Sequence, residues 1–180
     1  VMPDNNIEIK VCKTGEITIE EWEDFVHQFN KTFQRDSSVE EKKTFYATNI
    51  YGYSYHAFAF SSEGKIIGHT SLIPSRYKAN DKKAMMGISG GTFVIEEYRS
   101  NIFIFKKMYE KLKKYASSEG MVATLGIPNE NSFRYTVKVL KKVHIGDLDY
   151  FAMPVRLGNI LESKFKPFLN FLSVTGVRLW

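Results

Sequence analysis

The chain has 180 residues and carries 25 Lys and Arg against 20 Asp and Glu, a formal charge of +5. Its hydrophobic share of 43% and charged share of 25% exclude a disordered chain, and its length fits one α/β domain with a small appended segment. One cysteine, Cys12, excludes an intrachain disulfide; with no charged-then-apolar leader and no apolar run near the ~20 residues that cross a bilayer, a cytoplasmic protein is expected.

Ile7 to Val11 alternate apolar and polar positions and predict an opening strand. Thr18 followed by Glu21 is a capping-box pattern that opens a helix, with Trp22, Phe25, Val26, Phe29 and Phe33 at helical spacing. Ser38 with Glu41 repeats the pattern before a shorter helix carrying Phe45 and Tyr46. From Tyr55 to Phe60, the side chains of His56, Phe58 and Phe60 share one face, with alanines between them. The turn Ser62-Glu63-Gly64-Lys65 predicts that Ile66 to Tyr77 pairs back as a hairpin, with His69 on one face together with Ile67, Ser71 and Ile73. Asn80-Asp81 leads into a third antiparallel strand, Ala84 to Ile95, which adjacent Gly90 and Gly91 mark for a bulge or a close backbone approach.

After Arg99 the pattern Phe105, Met108, Leu112, Tyr115 and Ala116 predicts a helix that Gly120 stops. Met121 to Ile127 then reads as a strand parallel to the one before the helix, completing a right-handed βαβ unit. Asn131 or Ser132 caps a further helix, and Ile145 to Tyr150 and Phe151 to Val155 close the sheet. Residues 158–180 form an amphipathic stretch broken at Pro167, expected to pack on the 1–157 domain or to serve as a homodimer surface. The lysines of the two late helices, from Lys106 to Lys142, read as solvated faces. No aromatics interleave with them as a base-stacking platform needs, so neither nucleic acid nor membrane is an expected partner.

The order of strand, Glu96-Glu97-Tyr98-Arg99, helix, strand, Pro128-Asn129-Glu130-Asn131-Ser132 and helix resembles the GNAT superfamily of acetyl-CoA-dependent N-acetyltransferases over roughly residues 55 to 156. The segments Pro128 to Ser132 and Ile145-Gly146-Asp147-Leu148 are similar to members encoded beside polysaccharide-synthesis genes. The resemblance implies a mixed, mostly antiparallel twisted sheet flanked by helices, with two strands splayed into a V for acetyl-CoA. It implies that the backbone of Phe93, Val94 and Ile95 pairs with the pantetheine arm. It further implies that the turn Arg99, Ser100, Asn101, Ile102, Phe103 and Ile104 holds the pyrophosphate, with Asn129 and Asn131 nearby. The family's two turn glycines are replaced here by Ile102 and Ile104, and Val137 stands at the position of its acidic tyrosine.

Direct acyl transfer to an amine needs a base and an acid. His69, with an ordinary pKa near ~6.5, is the candidate base and Tyr135 the candidate acid. His27, His56, His69, His144 and Cys12 show no metal-ligand spacing, so no metal is expected. Two functions remain open from the sequence. One is acyl transfer from a coenzyme A thioester to a primary amine such as an amino sugar; the other is a non-catalytic GNAT-like binding module.

Overall fold

The computed structural model describes residues 7–79 and 81–147. Among these, β1 (Glu8–Lys13), β2 (Tyr55–Phe60), β3 (Ile66–Ala79), β4 (Lys82–Val94) and β5 (Met121–Leu125) form one sheet in that spatial order. The first four are antiparallel neighbours and β5 runs parallel to β4. This is the mixed, mostly antiparallel sheet that the strand and turn pattern predicts. No described helix is long and apolar enough to cross a membrane.

Helices α1 (Ile19–Phe33) and α2 (Val39–Ala47) cover one face of the sheet, and α3 (Ile102–Ser118) covers the other. On the α3 face, Ile104, Met108, Leu112 and Ala116 pack on Tyr55, Ala57, Ala59 and Leu72. The small alanines of β2 leave room there for the helix to close on the strand. On the opposite face Trp22, Phe25, Val26 and Tyr46 meet Phe58, Ile66 and Phe93. Phe25 is fully buried, with its ring centroid 5.9 Å from Phe58, 6.1 Å from Phe93 and 4.5 Å from His69. Such aromatic contacts add about 0.5–1.5 kcal/mol each to the burial of area.

Both early caps form as the sequence predicts. The Thr18 hydroxyl accepts the Glu21 N–H at 3.2 Å, and Glu21 Oε2 accepts the Thr18 N–H at 3.0 Å. Lys10 Nζ also bridges Glu21 at 2.6 Å, tying α1 to β1. Thr18→Ala is therefore expected to cost about 1 kcal/mol. Urea denaturation measures it, and a loss below about 0.3 kcal/mol would show the cap to be idle.

Two register shifts bend the sheet. In the first, Ala59 pairs with Gly68 but Phe60 pairs with Ile66, so Ile67 is an extra residue. It reverses the alternation: Ile67 packs on the α3 face, whereas His69 faces α1 and α2. The expectation that Ile67 and His69 share a face is thereby corrected. The second shift lies between β3 and β4 and shapes the candidate site.

Helix α4 (Glu130–Lys138) starts two or three residues earlier than the sequence suggests. Its cap is Asn129, whose Oδ1 accepts the Ser132 N–H at 3.0 Å. Neither Asn131 nor Ser132 is the cap, because Asn129 is the residue that keeps the extended backbone a capping side chain needs.

The described residues up to Lys142 form one compact unit. Of a second unit starting at Val143, residues 143–147 are described; His144 Nε2 lies 3.1 Å from Asp147 Oδ1 there. Ile145, Gly146 and Asp147 are in no strand. The rest of the expected strand to Tyr150, the strand Phe151 to Val155 and the segment 158–180 lie outside the described residues.

Candidate active site

The site begins where β4 and β5 part. They pair from Met85 with Met121 to Ile88 with Leu125, and the pairing ends there. β4 continues through Ser89 to Val94 with no β5 partner among the described residues, while β5 gives way to Gly126, Ile127 and Pro128. The close approach before this point depends on Gly87, where a Cβ would lie 2.6 Å from Met121 Sδ and 3.1 Å from Leu72 Cβ. Beyond it, a stretch of β4 backbone lacks a strand on one side. An extended ligand bearing amide groups can pair there as a further strand would.

The freed stretch carries the second bulge. His69 pairs with Phe93 and Ser71 with Gly90, so Gly91 and Thr92 stand opposite Thr70 alone. Gly91 has φ 56°, in the left-handed region. Side chains of β3 hold both adjacent carbonyls: Ser71 Oγ donates to Gly90 O at 2.8 Å and His69 Nδ1 to Gly91 O at 2.7 Å. His69 is wholly buried, and its Nε2 lies 3.1 Å from Nδ1 of the equally buried His56. His56 Nε2 lies 3.1 Å from Thr14 Oγ1, which accepts the Ser54 N–H at 2.7 Å.

Loss of solvation holds both histidines neutral, taking His69 down to about 3 and His56 well below its ordinary value. Lys42 adds repulsion at His69, against the Gly91 hydrogen bond. His69 thus lies under the bulge with no exposure of its own. It touches the candidate site through the Gly91 carbonyl.

The turn after β4 folds without glycine. A single 3-10 turn (Glu96–Tyr98) is followed by Arg99, whose Nε donates to Val94 O at 2.9 Å. Asn101 caps α3, its Oδ1 accepting the Phe103 N–H at 3.1 Å. No residue from Ile95 to Ile104 has positive φ. Ile102 and Ile104, which the resemblance aligns with turn glycines, therefore sit without the strain a β-branched residue would suffer in the left-handed region. Ile104 points into the α3 core, whereas Ile102 is 49% exposed, with Phe103 beside it. Ser100 is exposed on the same turn.

Phe93 is a core side chain beneath this stretch, while Val94 and Ile95 are half-buried. The Tyr135 ring stacks on Phe105 at 5.2 Å and its hydroxyl donates to Ile102 O at 2.5 Å. This ties α4 to the first turn of α3. Burial raises the Tyr135 pKa. Asn129 is exposed at the start of α4, and Asn131 lies in its first turn.

Four contributors were not among the sequence candidates: Thr14, Tyr46, His56 and Lys142. Tyr46 presses its hydroxyl on Gly91, and burial lifts that hydroxyl to about 12. The β2–β3 register sets His56 opposite Ser71 and Phe58 opposite His69, which makes the two histidines diagonal neighbours. A register counted from the Ser62–Lys65 turn was the available signal. Lys142 Nζ lies 4.7 Å from the Tyr109 ring centroid, and a Cβ on Gly126 would be 3.2 Å from that ammonium. It places a positive charge beside the end of β5.

On the α2 side an open groove of about 730 Å³ is lined by Glu40, Glu41, Thr44 and the exposed Phe45, with Ile73 also lining it. Ile73 Cδ1 comes within 3.8 Å of where a Gly90 Cβ would stand, so the groove adjoins the bulge. Cys12 is buried, and loss of solvation raises its thiol to about 12, which leaves it an unreactive core residue. No cluster of three metal-ligating side chains occurs among the described residues.

The site is thus a sheet opened between two parallel strands, with a bulged strand and a helix N-terminus at the opening. The chain belongs to the acetyltransferase (GNAT) domain family, whose model matches residues 14–137. Solved structures share the fold at low identity. An acetyltransferase from Trypanosoma brucei is 14% identical with a TM-score of 0.61, covering 82% of this chain and 100% of its own. Glucosamine-6-phosphate N-acetyltransferase from Arabidopsis thaliana is 14% identical with a TM-score of 0.62, covering 82% and 99%. A predicted acetyltransferase from Clostridium acetobutylicum, solved with acetyl-CoA, is 12% identical with a TM-score of 0.59, covering 81% and 96%. No curated protein matches the chain in sequence.

Proposed function

We propose that this protein transfers an acetyl or short acyl group from a coenzyme A thioester to the primary amine of a small molecule, with an amino sugar as the leading acceptor class. The observation that carries this reading is the parting of β4 and β5 after Ile88 and Leu125, on the strand that bears the Gly90–Gly91 bulge. The residues fit the coenzyme. Of the backbone of Phe93, Val94 and Ile95, the Val94 carbonyl already accepts from Arg99 Nε, and Ile95 is engaged through its N–H to Ile67 O and its carbonyl from the Tyr98 N–H, so the amide-bearing arm would meet the free side of β4 before Ile95. The strain-free turn from Arg99 to Ile104 leads into a 17-residue helix, whose N-terminus favours a pyrophosphate. Asn129, at the start of α4, and Asn131, in its first turn, follow the end of β5, where Lys142 adds positive charge.

When bound, the coenzyme thioester supplies the activated acyl group. The chain supplies orientation, and backbone N–H groups that can polarise a carbonyl. The groove beside Ile73 offers Glu40 to a cationic amine and Phe45 to an apolar sugar face. His69, buried and neutral, acts through Gly91 rather than by meeting the amine. Tyr135 would have to release Ile102 O before it could donate a proton elsewhere.

Calorimetric titration with acetyl-CoA, followed by thiol release with amino sugars and polyamines, tests this proposal. A hundredfold excess of ligand over its Kd is expected to stabilise the fold by about 2.7 kcal/mol. No heat and no thermal shift at millimolar acetyl-CoA would sink the reading. Tight binding without thiol release on any amine would favour a non-catalytic binding module instead.

A further inference from the structure

The buried chain Thr14–His56–His69–Gly91 has a direction that its end groups impose. A carbonyl oxygen only accepts, so His69 Nδ1 carries a proton and donates to Gly91 O. In a neutral ring, His69 Nε2 then accepts, which puts a proton on His56 Nδ1. His56 Nε2 must accept in turn, and its donor is the Thr14 hydroxyl. Thr14 Oγ1 is itself fixed from behind by the Ser54 N–H. Every member is satisfied, and both rings are Nδ1–H tautomers. Trp22 and Tyr46 pack edge-on against His56, at 6.0 Å and 4.6 Å. Phe25 lies 4.5 Å from His69, so neither ring has room to turn.

We propose that this relay is a positioning device for the acyl-transfer site: it locks the Gly91–Thr92 peptide of the β4 bulge in one orientation. The peptide is trans, so its N–H, on Thr92, points opposite to the Gly91 carbonyl and away from the His69 ring. It lies on the stretch of β4 that β5 leaves free. A bulge glycine with left-handed φ can rotate this peptide at little steric cost, and a fixed donor at His69 removes that freedom. Ser71 fixes the preceding peptide in the same way through Gly90 O. His69 and His56 are thus positioning residues, and Thr14 sets their polarity. The functional half of the proposal rests on the acyl-transfer reading above; the hold on the bulge does not.

Two substitutions separate the two ends of the His69 ring. His69→Asn sets an amide N–H where Nδ1 stands and keeps the donor to Gly91 O, whereas His69→Gln reaches toward His56 but loses that donor. Amide exchange at Thr92 is expected to be about tenfold faster in His69→Gln than in His69→Asn. With acetyl-CoA and an amino sugar, kcat should fall between about ten- and a hundredfold in His69→Gln, with the amine KM little changed, and recover in His69→Asn. Equal exchange and equal kcat in the two variants would overturn the proposal. If neither variant folds, imidazole 15N spectra of the wild type at pH 7 decide. Two neutral Nδ1–H rings support the relay, and an Nε2–H or charged ring at either position overturns it. If the wild type transfers to no amine while the exchange difference appears, the acyl-transfer reading fails and the relay's hold on the bulge stands.

Discussion

Replacing Gly91 by alanine is expected to destabilise the protein by about 2–5 kcal/mol, a large share of the roughly 5–15 kcal/mol that holds a domain of this size together. Two independent causes add. The backbone at Gly91 has φ 56°, where an L side chain costs about 1–2 kcal/mol. A Cβ there would also overlap the Tyr46 hydroxyl oxygen, far inside ordinary contact distance. Tyr46 is 1% exposed and wedged among Trp22, Phe25 and His56, so it cannot swing aside; forced overlap of this kind costs about 1–3 kcal/mol. Tyr46→Phe in the same chain removes the oxygen. The double variant should therefore recover the overlap cost but keep the cost of φ. Urea denaturation of the four proteins measures both, and a Gly91→Ala loss within about 0.5 kcal/mol of zero would refute the geometry drawn for the bulge.

Below about pH 6.5 stability should fall steeply because of His56 and His69. Both folded-state pKa values are depressed, by loss of solvation first. The unfolded chain therefore binds protons that the folded one refuses. The contribution is fully present above the unfolded value near ~6.5 and is lost as pH falls toward the folded value, about 3 for His69.

Within that window His69 removes about 1.4 kcal/mol per pH unit, or about 2 kcal/mol at pH 5, and His56 adds a loss in the same direction. One added proton, on His56 Nε2, could still be hydrogen-bonded by reversing the Thr14–His56 bond alone, with Thr14 then donating to Ser54 O at 3.2 Å. Loss of solvation opposes it all the same, and a second proton would set N–H against N–H. Carboxylates titrate at lower pH, so the decisive comparison is between pH 7.5 and 5.5. His56→Asn, which keeps the donor toward His69, should show a shallower slope than the wild type. An unchanged slope would mean that His56 is protonated in the folded protein.

Much of the fold is legible in local signals. Thr18 with Glu21 and Ser38 with Glu41 close their capping boxes where the sequence puts them, because a cap needs only residues three apart. The Ser62–Lys65 turn and the Gly90–Gly91 pair likewise announce a hairpin and a bulge. The start of α4 is harder to read because Asn129, Asn131 and Ser132 are all good caps, and only backbone conformation separates them. The face of His69 is misread for a more basic reason. Ile67 is inserted against β2, and one extra residue flips every side chain beyond it until the next irregularity.

The amino-acid sequence by itself determined the order of elements from β1 to α4, the bulged strand and the absence of glycine in the turn after it. Those are properties of spacing and residue type. Only the tertiary structure decided what the unusual residues do. It showed that Ile102 and Ile104 sit without strain because the turn uses no left-handed φ, that Tyr135 is bound to Ile102 O, and that two histidines 13 residues apart join into one buried relay. Tautomer, desolvation and carbonyl orientation are set by what packs around a side chain from α1, α2 and β1, and no spacing along the chain encodes that.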